Sequence, residues 1–223
     1  MRFWMTGIFA SAVTGCVWLG LWHLVLTVTA ILATGAALPL SPGPAAFSGL
    51  VAGVFAAFQW PASPRNRRMV GIILIACLLF SSSFGAPFDP SGLLDFWQRL
   101  LLLLMASVAG WLSIEKTVGP ANAGFMARYA TEEFYLRLFW GLGLMMFVLI
   151  VSVPFYVMVM TSLKSQQSLM INPLDFSIDY SLGVKKLLRS YIELFTDYGF
   201  MTLLINSTVV SLATVLITLL FSV

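Results

Sequence analysis

Long uninterrupted apolar runs restrict the fold of this chain more than any other feature. Residues 6–34, 138–163 and 202–223 contain no Asp, Glu, Lys or Arg. About 20 helical residues span a hydrocarbon core of ~30 Å, so each run is long enough to cross a bilayer. Hydrophobic residues make up 60% of the 223 and charged residues 9%. A soluble domain carries roughly 25% charge. A chain this apolar has too few polar groups to cover its surface in water, so lipid must be the solvent for much of it.

Three further apolar segments, at 45–59, 69–84 and 93–114, bring the expected number of spans to six. The runs are continuous rather than alternating, which calls for helices and not barrel strands. The expected fold is an all-α polytopic membrane bundle of about six transmembrane helices. The last is expected to be incomplete, because the run at 202–223 is still apolar at Val223. Pro39-Leu40-Ser41-Pro42-Gly43-Pro44 blocks helix continuation and marks a hairpin between the first two spans. Ala33-Thr34-Gly35-Ala36-Ala37 has the small residues of a signal-peptide cleavage site, but the preceding run is about twice the usual length, so a retained helix is expected.

The placement of positive charge sets the expected orientation. The connection after the second segment reads Pro64-Arg65-Asn66-Arg67-Arg68, and the one after the fourth carries Lys116, Arg128 and Arg137. The opposite side has only Arg99 near its second connection. Positive residues favour the cytoplasm, so the amino terminus with Arg2 is expected inside and the connection after Lys164 outside. Lys185, Lys186 and Arg189 in that outer connection oppose this reading, and Asp175, Asp179, Glu193 and Asp197 balance them. The chain divides into a four-helix membrane portion at 1–115, a cytoplasmic linker at 116–137 and a second apolar portion at 138–223. In the linker, Phe125, Met126 and Tyr129 share an apolar side and Glu133 and Arg137 stand i,i+4. Either a short interfacial helix or a solvated linker fits that pattern.

Few residues carry chemistry. Net charge is only +3, which indicates neither nucleic acid nor an acidic substrate. One histidine rules out a multi-histidine metal site, and Cys16 and Cys77 lie apart inside apolar segments, as packed free thiols do. There is no P-loop, no G-x-S-x-G and no HExxH; Asp89 and Asp95 read as solvated turn residues. No catalytic residue, cofactor site or metal site is assigned, and the chain is not expected to be an enzyme. His23, alone in the first span, is either structural or part of a substrate or proton path. Pro154 removes a backbone hydrogen bond inside the fifth span, giving either a fixed bend or a hinge. Gly49 and Gly53 form a GxxxG pair, and Ser11 with Gly15 and Ala106 with Gly110 repeat its spacing; each permits close helix approach.

The carboxy-terminal part carries an ordered series of short motifs. Pro154-Phe155-Tyr156 precedes Thr161-Ser162-Leu163-Lys164; then come Asn172-Pro173, the Tyr-x-x-Leu-Phe element of Tyr191, Leu194 and Phe195, and Asn206-Ser207. Leu187, Leu188, Tyr191, Leu194 and Phe195 recur at helical spacing. Together these resemble the permease subunits of binding-protein-dependent ABC importers, in the carbohydrate branch typified by the maltose-type inner-membrane component. The likeness covers roughly 136–223, and Ser190 stands where the family usually has Asn. It implies that 138–223 opens a permease domain in a bacterial plasma membrane. It implies as partners a second permease subunit, cytoplasmic ATPase subunits that hydrolyse the ATP, and an external solute-binding protein, with a sugar or oligosaccharide as solute. The family's Glu-Ala-Ala loop does not occur in these 223 residues, so the resemblance also implies a truncated permease. The rival expectation is a membrane scaffold or assembly protein in which the first four helices are the main body.

Overall fold

The structure is a computed structural model that describes residues 6–60, 63–83, 85, 88, 92–119, 123–164, 170, 183 and 188–222. Seven helices are defined among the described residues: α1 (Gly7–Thr34), α2 (Pro42–Ala57), α3 (Pro64–Ser82), α4 (Phe96–Val118), α5 (Arg128–Leu163), α6 (Arg189–Thr196) and α7 (Phe200–Ser222). The described residues contain no strand, so the fold is all-α. They form two compact units, 1–153 and 154–223, divided within α5 beside Pro154.

The expected six spans become four. Helices α1, α4, α5 and α7 are long and apolar enough to cross a membrane, and they make this a membrane-embedded protein. Helix α2 has 16 residues, about 24 Å of rise, which falls short of the hydrocarbon core. Helix α3 has 19, but it opens through Arg65, Arg67 and Arg68 and closes on Ser81 and Ser82, leaving too short an apolar middle. Of the run expected to span at 69–84, residues 69–80 form the apolar centre of a helix with polar ends. Within the expected linker, residues 128–137 prove continuous with the following span, for α5 runs unbroken from Arg128 to Leu163, while Phe125 and Met126 precede the helix.

Local chemistry explains the helix ends. Gly35 adopts φ 69° and its N–H closes on the Ile31 carbonyl at 2.8 Å, ending α1 with a residue that has no Cβ to clash. Pro42 and Pro44 then open α2, where a missing N–H costs nothing because the first turn has no acceptor for it. Asp95 caps α4 reciprocally with Gln98, whose side-chain oxygen accepts the Asp95 N–H at 3.0 Å. Three hydroxyls inside the apolar helices are satisfied on their own backbone: Thr27 donates to the His23 carbonyl, Ser48 to Pro44 and Ser107 to Leu103, at 2.7–2.8 Å, whereas the buried hydroxyls of Ser11 and Thr14 have no partner among the described residues.

The first unit is built around a seam of small residues. A Cβ on Gly15 would run into the Gly49 carbonyl and come within 2.9 Å of the Gly53 Cα, and one on Gly53 would strike the Ser11 carbonyl. The Gly49/Gly53 pair of α2 therefore lies directly on the Ser11/Gly15 pair of α1, backbone against backbone. Large side chains fill the remaining glycine hollows: Trp111 of α4 lies over Gly71 of α3, Leu19 of α1 reaches Gly110 of α4, and Trp18 lies over Gly141 of α5. Trp111, Leu19, Ile75, Ile114 and Phe134 are fully buried.

One end of this unit is tied by polar contacts. Arg68 meets Glu115 at 2.8 Å and Arg67 meets it at 3.7 Å, joining α3 to α4. Gln59 donates to the Gly119 carbonyl at 3.4 Å, and the Gly7 N–H to the Gly124 carbonyl at 2.9 Å. The starts of α1, α3 and α5 and the ends of α2 and α4 thus gather at one end, with Lys116, Arg128 and Arg137 alongside. Asp95 and Arg99 stand at the opposite end of α4.

In the second unit, α6 and α7 meet at Gly199, which takes φ 58°. The rings of Phe195 and Phe200 meet edge to face at 5.5 Å across that turn. No residue of α7 is buried.

The seam yields a sharp contrast between two glycines. Gly53→Ala should destabilise the chain by about 1–3 kcal/mol or more, because the opposing atoms are backbone and cannot swing aside. Gly20→Ala, where a Cβ meets nothing within 4 Å, should be neutral or mildly stabilising. Unfolding of the two variants in mixed micelles measures the difference.

Candidate functional site

The motif residues of the carboxy-terminal series fall on three elements. Thr161, Ser162 and Leu163 form the last turn of α5, and Lys164 follows it with its N–H on the Thr161 carbonyl at 3.3 Å. Tyr191, Leu194 and Phe195 lie on α6. Asn206 and Ser207 sit inside α7, which begins upstream of them at Phe200, so they do not mark its first turn. Leu188 precedes α6 as its cap residue. Lys185, Lys186, Leu187, Asp175, Asp179 and Asn172-Pro173 lie outside the described residues.

Two of these elements are joined by a hydrogen bond. Ser162 Oγ and Tyr191 Oη lie 2.6 Å apart. Ser162 also sits 2.7 Å from the Val159 carbonyl and donates its single proton there, so the Tyr191 hydroxyl is the donor to Ser162. Thr161 spends its own proton on the Val157 carbonyl at 2.9 Å. Helix α6 is held internally by Arg189 and Glu193, paired i,i+4 at 2.7 Å. Tyr191, Phe195 and Ile192 remain exposed, an amphipathic set suited to a membrane–water boundary. Pro154 is exposed and stands within α5, where the helix continues on both sides of it.

His23 occupies a different place. It is 4% exposed and its ring stacks on Phe88 with centroids 4.6 Å apart. Neither ring nitrogen has a hydrogen-bond partner among the described residues. The adjoining cavity is about 10 Å³, lined by Ser41, Pro44, Leu79, Ser83 and Phe88 with His23. That is room for about one water, not a solute. Cys16 and Cys77 are free thiols, and no metal-binding cluster occurs among the described residues.

The most developed polar feature of the first unit escaped the sequence analysis. Trp18 and Trp22 of α1 donate their indole N–H groups to Thr117 and Ser113 of α4, each at 3.0 Å. Both pairs are spaced i,i+4, and their opposite order shows that α1 and α4 run antiparallel. Each hydroxyl gives its proton to its own helix, Ser113 to Ala109 at 2.8 Å and Thr117 to Ser113 at 2.9 Å, which frees its lone pairs to accept. Beside these rungs lies an open groove of about 570 Å³, walled by Trp18, Trp22, Trp140 and Leu144, with Lys116 and Arg137 among its lining residues. The matched i,i+4 spacings of 18/22 and 113/117 were the available signal, but nothing in a single sequence pairs them.

No family model matches this chain, and no curated protein or solved structure matches it either.

Two outcomes test this geometry. Thr117→Val strands the buried indole N–H of Trp18 and should lower stability by about 1 kcal/mol, measured in a double-mutant cycle with Trp18→Phe. Ser162→Ala and Tyr191→Phe should each raise amide exchange across 189–196, and the double variant should add little to either single one.

Proposed function

We propose that the chain is a membrane permease subunit of an ATP-driven, binding-protein-dependent importer, with residues 138–223 corresponding to the beginning of the permease domain. The observation that carries this reading is the bond between Tyr191 and Ser162. It joins the Tyr-x-x-Leu-Phe element to the Thr-Ser-Leu-Lys turn, two elements the resemblance defines separately by sequence alone. The bilayer is the solvent of the apolar helices. The other partners are a second permease subunit, a pair of cytoplasmic ATPases and an external solute-binding protein. The chain itself is not an enzyme in this reading, since ATP is hydrolysed by the partner. A sugar or oligosaccharide is the solute class that the resemblance supplies.

The mechanism is alternating access: ATP-driven closure of the ATPases shifts the helix bundle between two states with opposite openings. Clustering of Arg65, Arg67, Arg68, Lys116, Arg128 and Arg137 at one end of the first unit favours that end as the cytoplasmic one. The membrane is then a bacterial plasma membrane with the amino terminus inside. A scaffold or assembly role is the second reading, favoured by the large share of buried residues in the unit at 1–153.

Reporter fusions at Arg65 and Gly183 test the threading, with Arg65 expected cytosolic and Gly183 exported. Affinity isolation of the full chain from its own membrane is expected to bring down a P-loop ATPase whose hydrolysis rises when solute-binding protein and sugar are added. An exported Arg65, or isolation of a stable chain with no ATPase, would overturn the importer reading and leave the scaffold.

A further inference from the structure

We propose that the groove between α1, α4 and α5 holds an anionic phospholipid. This goes beyond the transport reading and does not depend on it. The groove is concave, about 570 Å³, within the range of small-molecule sites. Two of its sides, α1 and α4, are held together by the rungs from Trp18 and Trp22 to Thr117 and Ser113. Along α5 its lining runs from Arg137 through Leu144 to Leu149. That interval covers about 18 Å of helix axis, close to the ~15 Å depth of one leaflet's hydrocarbon.

Charge complementarity selects the occupant. Lys116 and Arg137 lie at one end of a lining that is otherwise almost wholly apolar and aromatic. Lys116 is exposed and has no ion-pair partner among the described residues. Glu115 beside it is already engaged by Arg68 and Arg67. Arg137 gives one N–H to Glu133 at 2.5 Å and keeps the rest of its guanidinium donors. Two cations at the mouth of an apolar trough match a phosphate ester above an acyl chain, as basic pockets between membrane helices do. A zwitterionic lipid brings its own cation to the same place and loses that complementarity.

The full chain, reconstituted in phosphatidylcholine vesicles, can be titrated separately with phosphatidylglycerol and phosphatidylcholine carrying identical brominated chains. Quenching of tryptophan fluorescence reads occupancy, since Trp18, Trp22 and Trp140 line the groove. The expected result is a preference for brominated phosphatidylglycerol, about fivefold for each groove cation. Lys116→Gln and Arg137→Gln should each reduce it, and the double variant should abolish it. Arg128→Gln is the control: this residue sits at the same end of the unit, is paired with Glu132 and is absent from the groove lining, so its loss should leave the preference intact. No preference in the wild-type chain overturns the proposal. So does a preference that survives the double variant, or one that Arg128→Gln lowers as much as Lys116→Gln, which would reveal surface potential alone.

Discussion

The close approach of α1 and α2 along Ser11, Gly15, Gly49 and Gly53 is the contact on which the first unit depends. In lipid there is no gain from hiding one apolar surface against another, so helices associate where backbones can come near enough for dense van der Waals contact. Here the two backbones are so near that a single methyl group on either side would strike a carbonyl. Leu19, on the same helix one turn beyond Gly15, then enters the hollow at Gly110, and Trp111 enters the one at Gly71. The order of packing follows: a glycine seam joins α1 to α2, and large side chains fitted into single-glycine hollows add α3, α4 and α5.

A second constraint is the scarcity of acceptors in an apolar interior. Thr27, Ser48 and Ser107 meet it by donating to their own helix, while Ser11 and Thr14 do not. The same habit makes Ser113 and Thr117 acceptors, because the proton is spent along α4 and the lone pairs face the indoles of α1. Ser162 repeats the arrangement at the end of α5, donating to Val159 and accepting from Tyr191. One device, a hydroxyl back-bonded to its helix, thus supports both the helix pairing in the first unit and the docking of α6 in the second.

Much of this was legible in the residues. The all-α membrane character followed from apolar runs without charge, and the break between the first two helices from the prolines at 39–44, although α2 begins at Pro42 and not at the expected residue 45. The span count was not, because helix limits at 42–57 and 64–82 depend on where polar ends fall, and a short apolar stretch reads alike with or without them. The GxxxG spacing of Gly49 and Gly53 was visible, yet its partner was not, since close approach is a property of two helices. The motif series around Thr161–Lys164 and Tyr191–Phe195 was visible as order and spacing, while the hydroxyl pair that links its two parts is set by a fold across residues far apart in sequence.

By itself, the sequence determined the solvent and the helical character of the apolar runs. These follow from composition and from local hydrogen-bonding needs, which each segment meets within its own length. Which glycine faces which carbonyl, which hydroxyl accepts which indole, and that Lys116 and Arg137 share one groove were decided only in three dimensions. The physical reason is that each is a relation between rotations of separate helices about their axes, and nearly uniform apolarity around a helix leaves that rotation open until packing chooses it.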